Sequence, residues 1–231
     1  MSYNGEALND IGPVVVDLET AGLPNAADFL EPVIPDARMK DPEKIKADIE
    51  AKTISRMEKL ALDWNVGRIV CLGWWTERDG LIVQPCQNET EEACAIESFW
   101  EDCRHRLIVG FNIKAFDLRF LVQRSRYLNI PHPILDFSKY SRKGIHDLYL
   151  DLTFGDGTYD QGAMRRTLKA FCKRFGIPCD DGIDGKDIGA LVAAGDWDAV
   201  VAHCKSDVEL TVALARRLRV IQPEPVGALV A

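Results

Sequence analysis

The sequence predicts an α/β protein built on a mixed sheet with helices on both faces. Three observations carry that expectation. Short β-branched runs alternate with stretches of helical periodicity. Their order is three early strands, then helix, strand, helix, and mostly helices after that. The length of 231 residues, 47% of them apolar, is enough for a sizeable core, and a fold of this size buries roughly 70% of its unfolded surface.

The elements follow in order. Pro13-Val14-Val15-Val16 reads as a buried strand that ends at Asp17. Residues 24–64 read as an insertion. Pro24, Pro32 and Pro35 break up its first part, and Asp41-Pro42 then supplies an N-cap and a first-turn proline. Ile45, Ile49 and Met57 follow at helical spacing, so a loop leads into a helix of about four or five turns. Residues 67–75 form a second strand and Leu81-Ile82-Val83 a third, with Asp79-Gly80 as the hairpin signal. Thr90 caps a helix to about Cys103, with acids in its first turn. Residues 107–112 are another buried strand, and 116–128 a helix stopped before Pro131. A short strand near Ile145 leads to a helix around 147–154. Thr167 caps a helix to Gly176, and Asp196 caps the last long one, to about Arg219. Residues 222–231 are a Pro/Gly tail without periodicity. No repeat or composition break marks a second domain, so residues 1–231 are expected to form one.

Composition narrows the function classes. The chain is too apolar and too lightly charged for intrinsic disorder. It holds no run near the ~20 apolar residues of a membrane span, and its first residues lack the pattern of a secretory signal. The seven cysteines are odd in number and scattered, with no Cys-x-x-Cys pair. They read as reduced, buried residues of a cytoplasmic protein rather than a disulfide or zinc framework. The net charge of −8 at first argues against nucleic acid.

Three acidic features resist a purely structural reading. Asp17 and Glu19 sit two apart on a strand and so share a face, where like charges raise each other's pKa unless a cation lies between them. Mg²⁺ and Mn²⁺ suit such hard oxygen donors. Asn112-Ile113-Lys114-Ala115-Phe116-Asp117 places Asp117 in the first turn of a helix, near its positive end. His203 and Asp207 are four apart on a helix whose other positions, including Val200, Val201 and Val208, are apolar. Each feature alone is more often a turn, a first-turn acid or a satisfied helix pair than a site.

In this order they resemble the DEDD superfamily of 3′–5′ exonucleases. The first motif is Val16-Asp17-Leu18-Glu19-Thr20-Ala21-Gly22-Leu23, the second runs from Gly110 to Leu121, and the third is His203-Cys204-Lys205-Ser206-Asp207. The resemblance spans about residues 12–215 and is closest to stand-alone exonucleases related to the exonuclease domain of family-B polymerases. It implies a ribonuclease H-like fold and a two-metal mechanism. Asp17, Glu19 and Asp207 would hold one Mg²⁺ or Mn²⁺ ion, and Asp17 would bridge to a second, helped by Asp117. His203 would be the general base. Thr20 and Leu23 would touch the terminal nucleotide, and Asn112 would serve the substrate or order its turn. One departure is clear: the superfamily uses His five residues before the last Asp or Tyr four before it, and this chain has His at the Tyr spacing.

The implied substrate is a single-stranded 3′ end, DNA rather than RNA, with no membrane involved. Any proofreading would serve a polymerase in trans, and oligomeric state is unreadable. Alternatives are an RNA-trimming enzyme of the same fold, an inactive exonuclease-like binding module, and an acidic scaffold with no nucleic-acid role. The presence of all four carboxylates argues against the inactive module. The insertion 24–64 would be either a flap over the scissile end or packing against the sheet. The charge is also uneven. Residues 77–103 carry eight acids against Arg78, whereas 104–143 carry nine bases against Asp117 and Asp136, and 161–174 add five bases, among them Arg165, Arg166 and Lys169. Two basic stretches could therefore track a phosphate backbone.

Overall fold

The computed structural model describes residues 12–138, 141, 143–154, 167–179, 182 and 184–222. Arg165, Arg166 and the tail beyond Gln222 lie outside the described residues. The sheet has five strands: β1 (Val14–Gly22), β2 (Gly67–Thr76), β3 (Gly80–Pro85), β4 (Ile108–Gly110) and β5 (Ile145–Asp147). Their spatial order is β3-β2-β1-β4-β5. β1 pairs antiparallel with β2 and parallel with β4, so the antiparallel and parallel halves of the sheet meet at β1. β3 extends the antiparallel half and β5 the parallel half.

Seven α-helices appear among the described residues: α1 (Pro42–Met57), α2 (Glu89–Asp102), α3 (Asp117–Tyr127), α4 (Leu148–Leu152), α5 (Leu168–Arg174), α6 (Ile188–Ala194) and α7 (Trp197–Arg217). None is long and apolar enough to cross a membrane. The alternation of β1 sorts them onto two faces. Val14, Val16 and Leu18 pack with Ile96 and Phe99 of α2 and with Leu118 and Phe120 of α3. Val15 points the other way, into a cluster with Cys172 of α5 and Val208 and Leu214 of α7. Ile188 of α6 and Val200 of α7 complete that second face around Val70 and Cys71.

Several boundaries differ from the expectation, each for a local reason. β1 does not end at Asp17. It runs on to Gly22 because β2 pairs with it as far as Gly22 opposite Gly67, with a bulge between Glu19 and Thr20. The cap of α2 is Asn88, whose side chain accepts from the N–H of Glu91, two residues before the expected Thr90. The caps Asp41, Thr167 and Asp196 stand where the sequence places them. β4 is only three residues long. α6 was not anticipated. In the 24–64 insertion α1 buries none of its residues. The insertion is tied to the sheet at its end instead, where Leu60 packs over Gly22 and the Thr20 hydroxyl donates to the Ala61 carbonyl at 2.6 Å.

Candidate active site

The central strand supplies the first two carboxylates. Asp17 lies opposite Gly73 and Glu19 opposite Cys71 on β2, and both share the face of Val15, which packs against α7. Gly73 lets α7 approach: a Cβ there would stand 2.8 Å from Val208 Cγ2 and 2.9 Å from Cys204 Sγ. α7 thus lies directly over β1 and β2, and its buried stripe of Val200, Cys204 and Val208 sets the rotation. His203 and Asp207 border that stripe and face Glu19. The His203 Nε2 atom is 3.7 Å from Glu19 Oε1 and 3.9 Å from Asp207 Oδ2. His203 is only 2% exposed and Glu19 only 7%.

Asp117 arrives from the opposite face. It opens α3 and is 4% exposed, and its carboxylate accepts from its own N–H and from the N–H of Leu18 on β1. The turn leading to it is pinned by a residue the sequence reading passed over. Asp147, at the end of β5, accepts from the N–H groups of Asn112 at 2.9 Å and Lys114 at 3.0 Å, and from Tyr149 at 3.0 Å. Asn112 itself adopts a left-handed backbone, φ 62°, which Asn tolerates better than most residues. Its backbone therefore orders the strand-to-helix turn. Thr20 is buried and hydrogen-bonded as above, and Leu23 packs half-buried against Leu60 and Val66.

The electrostatics are dominated by buried negative charge. Burial and then the charges of Asp117, Asp207 and Glu19 hold the Asp17 carboxyl well above the usual carboxylate range. Burial, Asp207, Cys71 and Asp117 do the same to Glu19, with Lys169 of α5 pulling the other way. Asp117 is pushed up to about 7, chiefly by burial and then by Asp147 and Asp207, against the pull of its backbone hydrogen bonds. Lys169 belongs to the basic stretch 161–174, which was the only sequence signal for it. Beneath the carboxylates, the Cys71 and Cys204 thiols share a hydrogen bond, and Cys204 Sγ also donates to the Asp17 carbonyl at 3.9 Å.

This donor set fits a divalent cation. Ligand atoms of Glu19, His203 and Asp207 lie within 4.8 Å of one another, as do those of Asp17, Glu19 and Cys204. Three desolvated carboxyls, each raised further by neighbouring acids, are what a hard cation relieves. The structure therefore brings Asp17, Glu19, Asp117, His203 and Asp207 into one electrostatically connected cluster, with Thr20 on the same strand and Asn112 in the turn before α3.

Comparisons with known proteins bear on the family and the fold. A family described as predicted 3′–5′ exonucleases related to the exonuclease domain of PolB matches residues 65–224, a segment that holds Asp117, His203 and Asp207 and begins after β1. The fold is similar to that of the family B DNA polymerase from the hyperthermophilic archaeon Pyrobaculum calidifontis, with a TM-score of 0.58 and 17% sequence identity. The match covers 89% of this chain and 24% of the polymerase, so the chain spans about a quarter of that protein. No curated protein sequence matches the chain.

Proposed function

Given that the chain belongs to the family of predicted 3′–5′ exonucleases related to the PolB exonuclease domain, we propose that it hydrolyses phosphodiester bonds at single-stranded 3′ ends with divalent-metal assistance. The observation that carries this reading is the convergence of three desolvated carboxylates, Asp17 and Glu19 from β1 and Asp117 from α3, with Asp207 of α7. Asp17, Glu19 and Asp207 would hold one Mg²⁺ or Mn²⁺ ion, with Asp17 and Asp117 serving a second. When bound, such ions stabilise the charge that develops on the attacking and leaving oxygens of an in-line displacement.

The chain's own groups do the rest. His203 takes the proton of the attacking water at Nε2, and the neighbouring carboxylates of Glu19 and Asp207 hold the imidazolium that results. Lys169 offsets negative charge beside Glu19 as the phosphodiester enters. Thr20, next to Glu19 on β1, meets the terminal nucleotide, and Asn112 holds the turn that carries Asp117. DNA is the favoured substrate because the structural neighbour is a DNA polymerase. Any proofreading would serve a polymerase in trans.

The test uses 3′-labelled and 5′-labelled oligonucleotides, as DNA and as RNA, with Mg²⁺ or Mn²⁺. Stepwise loss from the 3′ end in the wild type, abolished in Asp17→Ala, supports the reading. Activity that survives Asp17→Ala overturns it. Faster trimming of RNA would move the assignment to an exoribonuclease.

A further inference from the structure

A cleft of about 800 Å³ opens on the α2 and α3 face, past the end of β1. That volume lies within the roughly 300–1,000 Å³ of ligand-sized sites. Leu23, Asn65, Arg68, Asn88, Arg124 and Tyr127 line it. Two cations stand in its wall, and they differ. Arg124 is spent: its Nε and Nη2 donate to Glu92 at 2.7 and 2.8 Å, and Glu92 also accepts from the Ile69 N–H at 2.8 Å. Arg68 is not. It is 9% exposed, its Nη1 donates to the Cys86 carbonyl at 2.8 Å, and its Nε makes no hydrogen bond. Among the described residues no carboxylate comes within ion-pair distance of it. A buried guanidinium with donors to spare is costly unless an anion joins it.

The other walls say which anion. Tyr127 is half exposed, its hydroxyl donating to Asn65 Oδ1 at 3.1 Å and the Arg124 guanidinium lying 6.0 Å from its ring centre. An exposed aromatic face with an aliphatic neighbour in Leu23 suits a nucleobase, whereas the side-chain amides of Asn65 and Asn88 are already engaged with Asp63 and Glu91. Arg68 suits the phosphodiester beside it. Glu89 is the opposing charge at the rim, but it is solvated and 3.9 Å from Arg124. The cleft and the carboxylates share β1: Leu23 follows its last residue, about 20 Å along the strand from Asp17 at 3.3 Å per residue.

We infer that this cleft is a second binding site for the same single strand, gripping nucleotides upstream of the scissile 3′ end through Arg68 and Tyr127. The inference rests on the nuclease reading above. It makes turnover length-dependent, because a substrate too short to reach the cleft forgoes its contacts.

The test compares a dinucleotide with dT12 as substrates, in the wild type, Tyr127→Ala and Arg68→Gln. The wild type should gain at least about ten-fold in KM from dinucleotide to dT12, and each variant should lose most of that gain. Anisotropy of 5′-labelled dT12 in an Asp17→Asn background should show the same loss in Kd, free of hydrolysis. If Arg68→Gln unfolds, Tyr127→Ala still decides, since its ring is exposed. A wild type that degrades both substrates with equal KM, or variants that keep the full gain, overturn the inference. A wild type without any 3′ trimming instead overturns the nuclease reading.

Discussion

The imidazole of His203 stands 3.7 Å from the carboxylate of Glu19, bridging α7 to β1. The same Nε2 is 3.9 Å from Asp207, so the ring sits between two carboxylates far apart in the sequence. A base and a metal ligand would both be held this way, and substitution separates the two. As the base, His203→Ala should cut hydrolysis by roughly 10²–10⁴ and leave the rise in Tm caused by Mn²⁺ intact. Loss of that rise together with activity would make the ring a ligand instead.

Stability of the metal-free protein should depend on pH through Asp117. Its carboxyl titrates near 7 in the fold against an ordinary 3.8. Between those values the folded state holds a proton that the unfolded state has released. The contribution is therefore fully present below the ordinary value and lost as pH rises through about 7. Tm of the metal-free protein should fall from pH 5 to pH 8, and Asp117→Asn should flatten the slope. Mn²⁺ should raise Tm more at pH 8 than at pH 5, because protons compete with it for the carboxylates. Thermal melts across this range, with and without Mn²⁺, check both.

Gly73→Ala should damage the site without touching a polar group. The new methyl would stand 2.8 Å from Val208 and 2.9 Å from Cys204. Overpacking of this kind costs about 1–3 kcal/mol. The relief available is a shift of α7, which carries His203 and Asp207 away from Glu19. Activity should fall more than the loss of stability explains, as measured by turnover at a temperature where the variant is fully folded.

Asp147 should matter although it lies outside the carboxylate cluster. Backbone N–H groups of Asn112, Lys114, Tyr149 and Leu150 donate to it, the first two in the turn before Asp117. Asp147→Ala leaves buried donors without an acceptor, at about 1–3 kcal/mol each. Urea unfolding should show that loss. Asp147→Asn keeps one acceptor oxygen, so it should recover part of the stability and part of the Mn²⁺-induced rise in Tm.

How much of this was readable beforehand follows from range. Caps and hairpins are local, so Asp41, Thr167, Asp196 and Asp79-Gly80 announced their elements correctly. The carboxylates of the site were readable because strand and helix periods put Asp17 with Glu19 and His203 with Asp207 before any fold is known. What escaped depends on contacts between distant segments. The length of β1 is set by its pairing with β2. Asp147 looks like an ordinary helix cap until the turn at Asn112 folds onto it. Lys169 lies beside Glu19 only because α5 and α7 share a face. Arg68 drew no reading beyond its place in the second strand, because the cleft around it is assembled from four separate stretches of chain.

Because α7 follows β1 by most of the described chain, the carboxylate cluster stays incomplete until α7 has been synthesised. Asp17 and Glu19 emerge early, but the residues that complete their surroundings emerge only with α7. A half-made chain thus carries carboxylates without a base or a closing helix. Under the proposed function, it is unable to degrade the nucleic acid around it until folding is finished.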